Sequence, residues 1–368
     1  MRFVIFTSGS IDHSIWSSVS GEGRWALNLA NVIASRMPES TVDLIGGSQG
    51  YNRPVWGAMP PLSNIHLKGE HEIDPRLPYD VALYVPWEIK MGRPGGWMLC
   101  EQSTNFIKAR LYVHCTFSWT TGIVEYPCHK DGHILVYPFN ESLNTFQGTE
   151  EVNKFPYEYL AYPHGWEYSE PDFNRKEIVW SSKDAFHPAW KTRNQYIAQA
   201  ALDTMNALVR ICKKHDIQKV HFFTGTRIMN PKWNPFVEEW RLDSIVAKLP
   251  NPQIHDWLRY DQVGEIMRAS KISVPICGLA SSMTEAICNA TLPVTYQGHP
   301  NCKTAKELGL EVNPYSVTED SIYEHMDNLL SDESLYKKAI LAYQAEMKDH
   351  TISNVVKQLE GIFAKYLK

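Results

Sequence analysis

The chain has 368 residues, with 36 basic and 41 acidic side chains and a formal net charge of −5. Its composition is 43% hydrophobic and 21% charged, which is typical of globular proteins and excludes collagen-like and wholly disordered classes. At roughly 100–200 residues per domain the length predicts two domains, and no run approaches the ~18 apolar residues that predict a membrane span.

The cysteines, the histidines and the chain start predict the cellular setting. The seven cysteines are scattered without a Cys-x-x-Cys pair, and the fourteen histidines include no His-Glu-x-x-His motif. These patterns predict no disulfide framework and no bound metal. Residues 1–7 are too short an apolar run for a secretion signal, so we expect a cytoplasmic protein. The negative charge disfavours nucleic acid as a partner.

The N-terminal half alternates between strands and helices. Residues 2–7 form a non-alternating apolar run, which is typical of a buried parallel strand. Trp25, Leu29 and Ile33 fall on one face of the next predicted helix. Further strands are predicted at residues 41–45, 81–85, 97–100, 111–115 and 133–137.

The alternation stops between residues 141 and 175, where prolines interrupt aromatic and acidic sequence. After it, strands are predicted at residues 177–181, 219–223, 254–257, 272–276 and 292–295. We therefore predict two doubly wound α/β domains at 1–170 and 171–345, and a C-terminal helix at 346–368 that crosses back to the first. Ligands of such folds bind at the carboxyl ends of the strands, here in the cleft between the domains.

Two polar segments are candidates for binding an anion. Gly21 and Gly23 belong to a G-x-G-x-x-A string that lies too far from the first strand to be a nicotinamide fingerprint. The string either presents backbone N–H groups to an anion or is a plain flexible loop. Lys183, Lys191 and Arg193 follow a strand and precede a helix, and either neutralise a diphosphate or belong to a solvated loop.

A third segment, residues 272–295, reads as strand, glycine turn, helix and strand. Ser282 and Glu285 have the spacing of a capping box, so Glu285 either caps the helix or accepts hydrogen bonds from sugar hydroxyls. The backbone N–H groups of Ser281, Ser282, Met283 and Thr284 would then face a phosphate.

This segment resembles the Glu-x7-Glu region of the retaining GT-B glycosyltransferases of family 4. Pro275, Glu285-Ala286 and Leu292-Pro293-Val294 match the family pattern, and the order of elements from 254 to 345 is similar throughout. The chain departs from the pattern where Cys277 replaces the first glutamate. It also resembles virus-encoded members of the family.

The resemblance implies a GT-B fold, in which two Rossmann-like doubly wound domains face each other across a cleft. It places Trp257 at the nucleotide base, the Lys183 loop at the donor phosphates and Glu285 at the ribose. It implies transfer without a metal or other cofactor, and the chain contains no Asp-x-Asp motif. For catalysis on the acceptor side, the candidates are Glu101 and His114, which are otherwise a surface carboxylate and a core histidine.

The predicted function is transfer of a hexose from a UDP- or GDP-sugar to a glycan, glycoprotein or other hydroxyl acceptor, with retention, by a chain that could form a homodimer. One alternative is a catalytically lapsed nucleotide-sugar-binding module. Others are a nucleotide-sugar epimerase, a glycosyltransferase acting on modified nucleic-acid bases, and a nicotinamide oxidoreductase.

Overall fold

The computed structural model describes residues 1–7, 21–46, 62–68, 72–74, 76–85, 107–115, 132–137, 156–163, 166–181, 195–223, 236–255, 258, 260–274, 281–294, 307–308 and 317–367. The chain divides into two compact units. The first unit is Met1–Gly165 together with Asp349–Lys368, and the second unit is Trp166–Lys348.

The first unit contains a parallel sheet of seven strands in the order β3-β2-β1-β4-β5-β6-β7. The strands are β1 (Arg2–Thr7), β2 (Thr41–Gly46), β3 (Ile65–Lys68), β4 (Tyr79–Tyr84), β5 (Ala109–Cys115), β6 (His133–Tyr137) and β7 (Tyr157–Tyr159). Helix α1 (Gly21–Arg36) connects β1 to β2. Phe3, Val4 and Ile5 are all fully buried, because a central parallel strand is covered on both faces.

The second unit contains a parallel sheet of five strands in the order β10-β9-β8-β11-β12. The strands are β8 (Glu177–Trp180), β9 (Lys219–Phe222), β10 (Pro252–Ile254), β11 (Ser270–Ser273) and β12 (Leu292–Pro293). The helices are α2 (Gln195–Lys214), α3 (Phe236–Glu239), α4 (Leu242–Val246), α5 (Tyr260–Ala269), α6 (Ser281–Cys288), α7 (Glu319–Ser331) and α8 (Glu333–Glu346).

The last residues of the chain belong to the first unit. A 3-10 turn (Lys348–His350) leads into helix α9 (Ile352–Tyr366), and the ring of Phe363 lies 5.6 Å from that of Phe3 in β1. Gln358 accepts a 2.8 Å hydrogen bond from the backbone N–H of Ala161. The first unit is therefore completed by a segment far away in sequence.

Two doubly wound α/β domains were predicted, and the two parallel sheets confirm this. Strands β3 and β7 were not predicted, because β3 is short and β7 follows Pro156 in a segment that reads as a linker. The strand predicted at 254–257 instead begins at Pro252, which an edge strand tolerates at its first residue. The strand predicted at 97–100 lies outside the described residues.

Candidate functional site

The strand order of the second unit reverses between β8 and β11, and the carboxyl ends of these strands are where open α/β sheets bind ligands. Two hydroxyls meet there. Ser181 directly follows β8, and its Oγ lies 2.8 Å from the Oγ of Ser273, the last residue of β11. Ser273 is fully buried, whereas Ser181 keeps slight exposure. The hydroxyl of Ser273 therefore fixes the position of the Ser181 hydroxyl at this edge of the sheet.

Helix α6 follows β11 and begins at the same edge of the sheet, because β12, which comes after the helix, is parallel to β11. Its first turn leaves backbone N–H groups without helical partners, and the helix dipole favours a negative charge there. Ser282 is only 6% exposed, and its Oγ has no hydrogen-bond partner in the part of the chain that the structure describes. A buried hydroxyl without a partner is costly, so a ligand atom is a natural partner for it.

The predicted capping box at Ser282 and Glu285 is wrong. Helix α6 begins at Ser281, so Ser282 lies inside the helix rather than at its cap position. A capping serine accepts a hydrogen bond from the backbone N–H three residues later, and the Oγ of Ser282 forms no hydrogen bond with any described residue. The spacing was right for a cap, but the helix starts earlier than that spacing requires.

Glu285 is buried in the middle of α6, with 4% of its surface exposed. Its backbone carbonyl accepts a 2.8 Å hydrogen bond from the side-chain amide of Asn289, and Arg268 donates to the Oδ1 of Asn289. Burial raises the pKa of the neighbouring Cys288 thiol, and the Glu285 carboxylate adds to this effect.

The other residues predicted to bind phosphate in this segment differ in whether their side chains are accessible to a ligand. Met283 belongs to the hydrophobic core of the second unit, so only its backbone could contact a ligand. Thr284 is buried, and Ser281 is the first residue of α6. Several further predicted residues lie outside the described part of the chain, namely Glu101, Lys183, Lys191, Arg193, Trp257 and also Cys277.

In the first unit, the structure places the predicted glycines inside α1. This helix begins at Gly21, so Gly21 and Gly23 both lie in its first turn. His114 is the sixth residue of β5 and is 2% exposed, with its ring stacked on that of Tyr84 at 5.1 Å. Its assignment as a catalytic group stays a prediction.

Sequence reasoning missed Ser181 and Ser273. The sequence did contain a signal for them, because a serine lies at the carboxyl end of each of the two strands that the structure shows as β8 and β11. Among the residues that the structure describes, no group of three or more His, Cys, Asp or Glu side chains could hold a metal ion.

Comparisons with known proteins identify the fold. No protein-family model and no curated protein matches the sequence. The chain is similar in structure to a UGT transferase from Siraitia grosvenorii in complex with UDP, at 12% identity and a TM-score of 0.50, covering 100% of both chains. It is also similar to the glycotransferase of kitacinnamycin, at 11% identity and a TM-score of 0.50, covering 99% of both chains.

A third similar structure is a Listeria monocytogenes protein assigned as a UDP-N-acetylglucosamine 2-epimerase, at 11% identity and a TM-score of 0.50, covering 92% of this chain and 90% of that one. Identities this low establish the fold alone. The protein has the GT-B fold, with two Rossmann-like α/β domains. Within the described ranges, no helix is long and apolar enough to cross a membrane.

Proposed function

We propose that this protein is a glycosyltransferase that transfers a hexose from a UDP- or GDP-linked sugar to a hydroxyl of a glycan or glycoprotein, with retention and without a metal ion. The observation that carries the proposal is the start of α6, where the buried hydroxyl of Ser282 has no hydrogen-bond partner among the described residues and the helix dipole favours a negative charge. The UDP in the similar Siraitia structure supports UDP as the first nucleotide to test.

The proposed chemistry follows from where charge develops. As the bond between the anomeric carbon and the diphosphate breaks, negative charge grows on the departing phosphate oxygen. The N–H groups at the start of α6 and the hydroxyls of Ser181 and Ser282 donate hydrogen bonds to the diphosphate, and Glu285 accepts from the ribose hydroxyls. Donors fixed before the reaction stabilise the transition state without reorganising, which lowers the barrier.

Nucleotide binding can be tested by thermal denaturation with UDP, GDP and ADP. A ligand at a hundred times its dissociation constant adds ~2.7 kcal/mol to the free energy of unfolding, so the donor nucleotide should raise the melting temperature more than the others. Turnover is then measured as release of the nucleotide diphosphate from the matching sugar nucleotide. If none of the three nucleotides raised the melting temperature, the proposal would be overturned. If a nucleotide bound but no nucleotide diphosphate was released from its sugar nucleotide, a lapsed binding module would be favoured.

A nucleotide-sugar epimerase is the second candidate, because a protein assigned to that activity matches the fold at the same TM-score. Analysis of the sugar nucleotide after incubation separates the two. An epimerase produces a second sugar nucleotide from the first, whereas a transferase with an acceptor releases the nucleotide diphosphate and forms a glycoside.

A further inference from the structure

Three side chains form a hydrogen-bonded relay across the second sheet. One carboxylate oxygen of Glu177 accepts from the ammonium of Lys219 at 2.8 Å, and the other lies 2.8 Å from Nε2 of His221. Nδ1 of His221 lies 2.8 Å from Nε2 of His255. We refer to Glu177, His221 and His255 as the Glu-His-His relay.

The relay leads to the ligand-binding edge of the sheet. Glu177 is the first residue of β8, and His221 pairs with Val179 two residues further along. His255 directly follows β10, and its backbone N–H donates to the carbonyl of Phe222. His221 is buried and His255 is partly exposed. The relay therefore runs diagonally across the sheet and ends on an oriented imidazole at the carboxyl edge.

The hydrogen bonds fix which nitrogens carry protons. Burial opposes ionisation of Glu177, but the hydrogen bonds from Lys219 and His221 outweigh it and lower the pKa of the carboxyl. An ionised carboxylate only accepts, so His221 donates from Nε2. Burial lowers the pKa of His221, which leaves it neutral near pH 7 with Nδ1 as an acceptor. His255 consequently donates to it from Nε2.

The remaining nitrogen of His255 is thereby left with a lone pair. Burial lowers the pKa of His255 to about 4, and the nearby positive charge of Lys219 adds to this effect, so the ring stays neutral and Nδ1 stays an acceptor. Among the described residues, none hydrogen-bonds to this Nδ1. The ring is also held by an edge-on contact with Phe223, whose centroid lies 6.0 Å away.

We propose that Nδ1 of His255 accepts a hydrogen bond from a ring N–H of the donor's nucleobase, and that Glu177 and His221 are positioning residues that fix this acceptor. This inference rests on the proposed function. Strand β10 lies two strands from β8 in the sheet, about 10 Å away at ~4.8 Å per strand, a distance that a nucleoside diphosphate can span. With the phosphates at Ser181 and α6, the base reaches His255.

The direct test compares nucleotides that differ by one methyl group. Calorimetry gives the dissociation constants of UDP and 3-methyl-UDP, and of GDP and 1-methyl-GDP, because methylation removes the ring N–H. The wild-type protein is expected to prefer the unmethylated form by about 10-fold, the size of one hydrogen bond. In His255→Ala, the unmethylated nucleotide binds about 10-fold more weakly, and the preference is lost.

Glu177→Gln tests the positioning role while preserving the shape of the side chain. Lys219 holds the amide oxygen, so the amide N–H₂ group faces Nε2 of His221 and reverses both histidine tautomers. Nitrogen-15 NMR should then find the proton of His255 on Nδ1, and the affinity for UDP should fall by about 10-fold because two donors meet.

Asp327→Asn is the matched control. Asp327 also bridges a lysine and a histidine, at 2.6 Å from Lys214 and 2.8 Å from His215, but these groups lie on helix α7, at the end of α2 and directly after it. This variant should change neither the tautomer of His255 nor the nucleotide affinity.

Three results would overturn the inference. If His255→Ala preferred the unmethylated nucleotide as strongly as the wild type does, the inference would be wrong but the proposed function would remain. His255→Ala could bind UDP more weakly than wild type does, yet bind 2′-deoxy-UDP as well as wild type while still binding 3-methyl-UDP more weakly. That result would place the contact on the ribose rather than on the base. Failure of the wild-type protein to bind any nucleotide would overturn the proposed function and the inference together.

Discussion

The first and second units each contain a parallel sheet whose strand order reverses beside its first strand, and the side chains at these two points differ. In the first unit the rings of Phe6 and Tyr84 stack at 5.2 Å across β1 and β4, and His114 continues the stack. In the second unit the hydroxyls of Ser181 and Ser273 meet across β8 and β11. The shared topology therefore creates the edge in both units, while hydroxyl donors suited to phosphate oxygens line it in the second.

The units also differ in how they hold a neutral histidine. Burial lowers the pKa of His350 and of His255 to about 4 in both cases. His350 lies inside the first unit, where its Nδ1 donates to the carbonyl of Tyr162 at 2.8 Å. His255 instead directly follows edge strand β10, and no described residue hydrogen-bonds to its Nδ1. The same lowering of the histidine pKa therefore results from packing in the first unit, whereas in our proposal it keeps a binding group neutral in the second.

The largest expected effect concerns His350. Its pKa is about 4 in the folded protein and near 6.5 when unfolded, so the unfolded chain binds the proton more readily. The neutral His350 therefore contributes on the order of 3 kcal/mol to the free energy of unfolding above pH 6.5, and this contribution is lost as the pH falls toward 4. Hydrogen exchange of the α9 amides at pH 7 and pH 4.5 measures this loss in the first unit.

His350→Asn should flatten this dependence, because the amide can still donate to the carbonyl of Tyr162 but cannot become charged. His66→Asn is the control, since His66 lies on β3 with its side chain 48% exposed. If α9 loses the same protection on acidification in the wild type and in His350→Asn, the acid sensitivity comes from elsewhere.

The sequence predicted the architecture better than the site. Long apolar strands such as β1 and amphipathic helices such as α2 carry strong periodicity, so the two α/β domains could be recognised. Glu285 was proposed only because its segment resembles a family pattern, and its place in the site stays a prediction. The Glu-His-His relay could not be predicted, because it joins three strands whose register the sequence does not determine. The only signal was that Lys219 and His221 have the two-residue spacing of side chains on one face of a strand.

The next effect tests whether the second unit carries the donor site. Glu285→Gln replaces a buried carboxyl group by an amide with little change in shape, and the proposed contact with the ribose would be weakened. We expect a loss of at least ~100-fold in kcat/KM with the matching sugar nucleotide. Glu265→Gln on the exposed face of α5 is the control. Near-full activity of Glu285→Gln at an unchanged melting temperature would remove Glu285 from the site.

The smallest effect compares the two sheet edges directly. Ser181→Ala removes the hydroxyl that directly follows β8 in the second unit, and the dissociation constant of UDP or GDP should rise about 10-fold, the size of one hydrogen bond to a charged group. Thr7→Val removes the hydroxyl at the end of β1, where the first unit has its own reversal of strand order. Calorimetry should find its nucleotide affinity unchanged. If Thr7→Val weakened binding as much as Ser181→Ala, the nucleotide would depend on both edges, and the chemical difference between them would not explain where the donor binds.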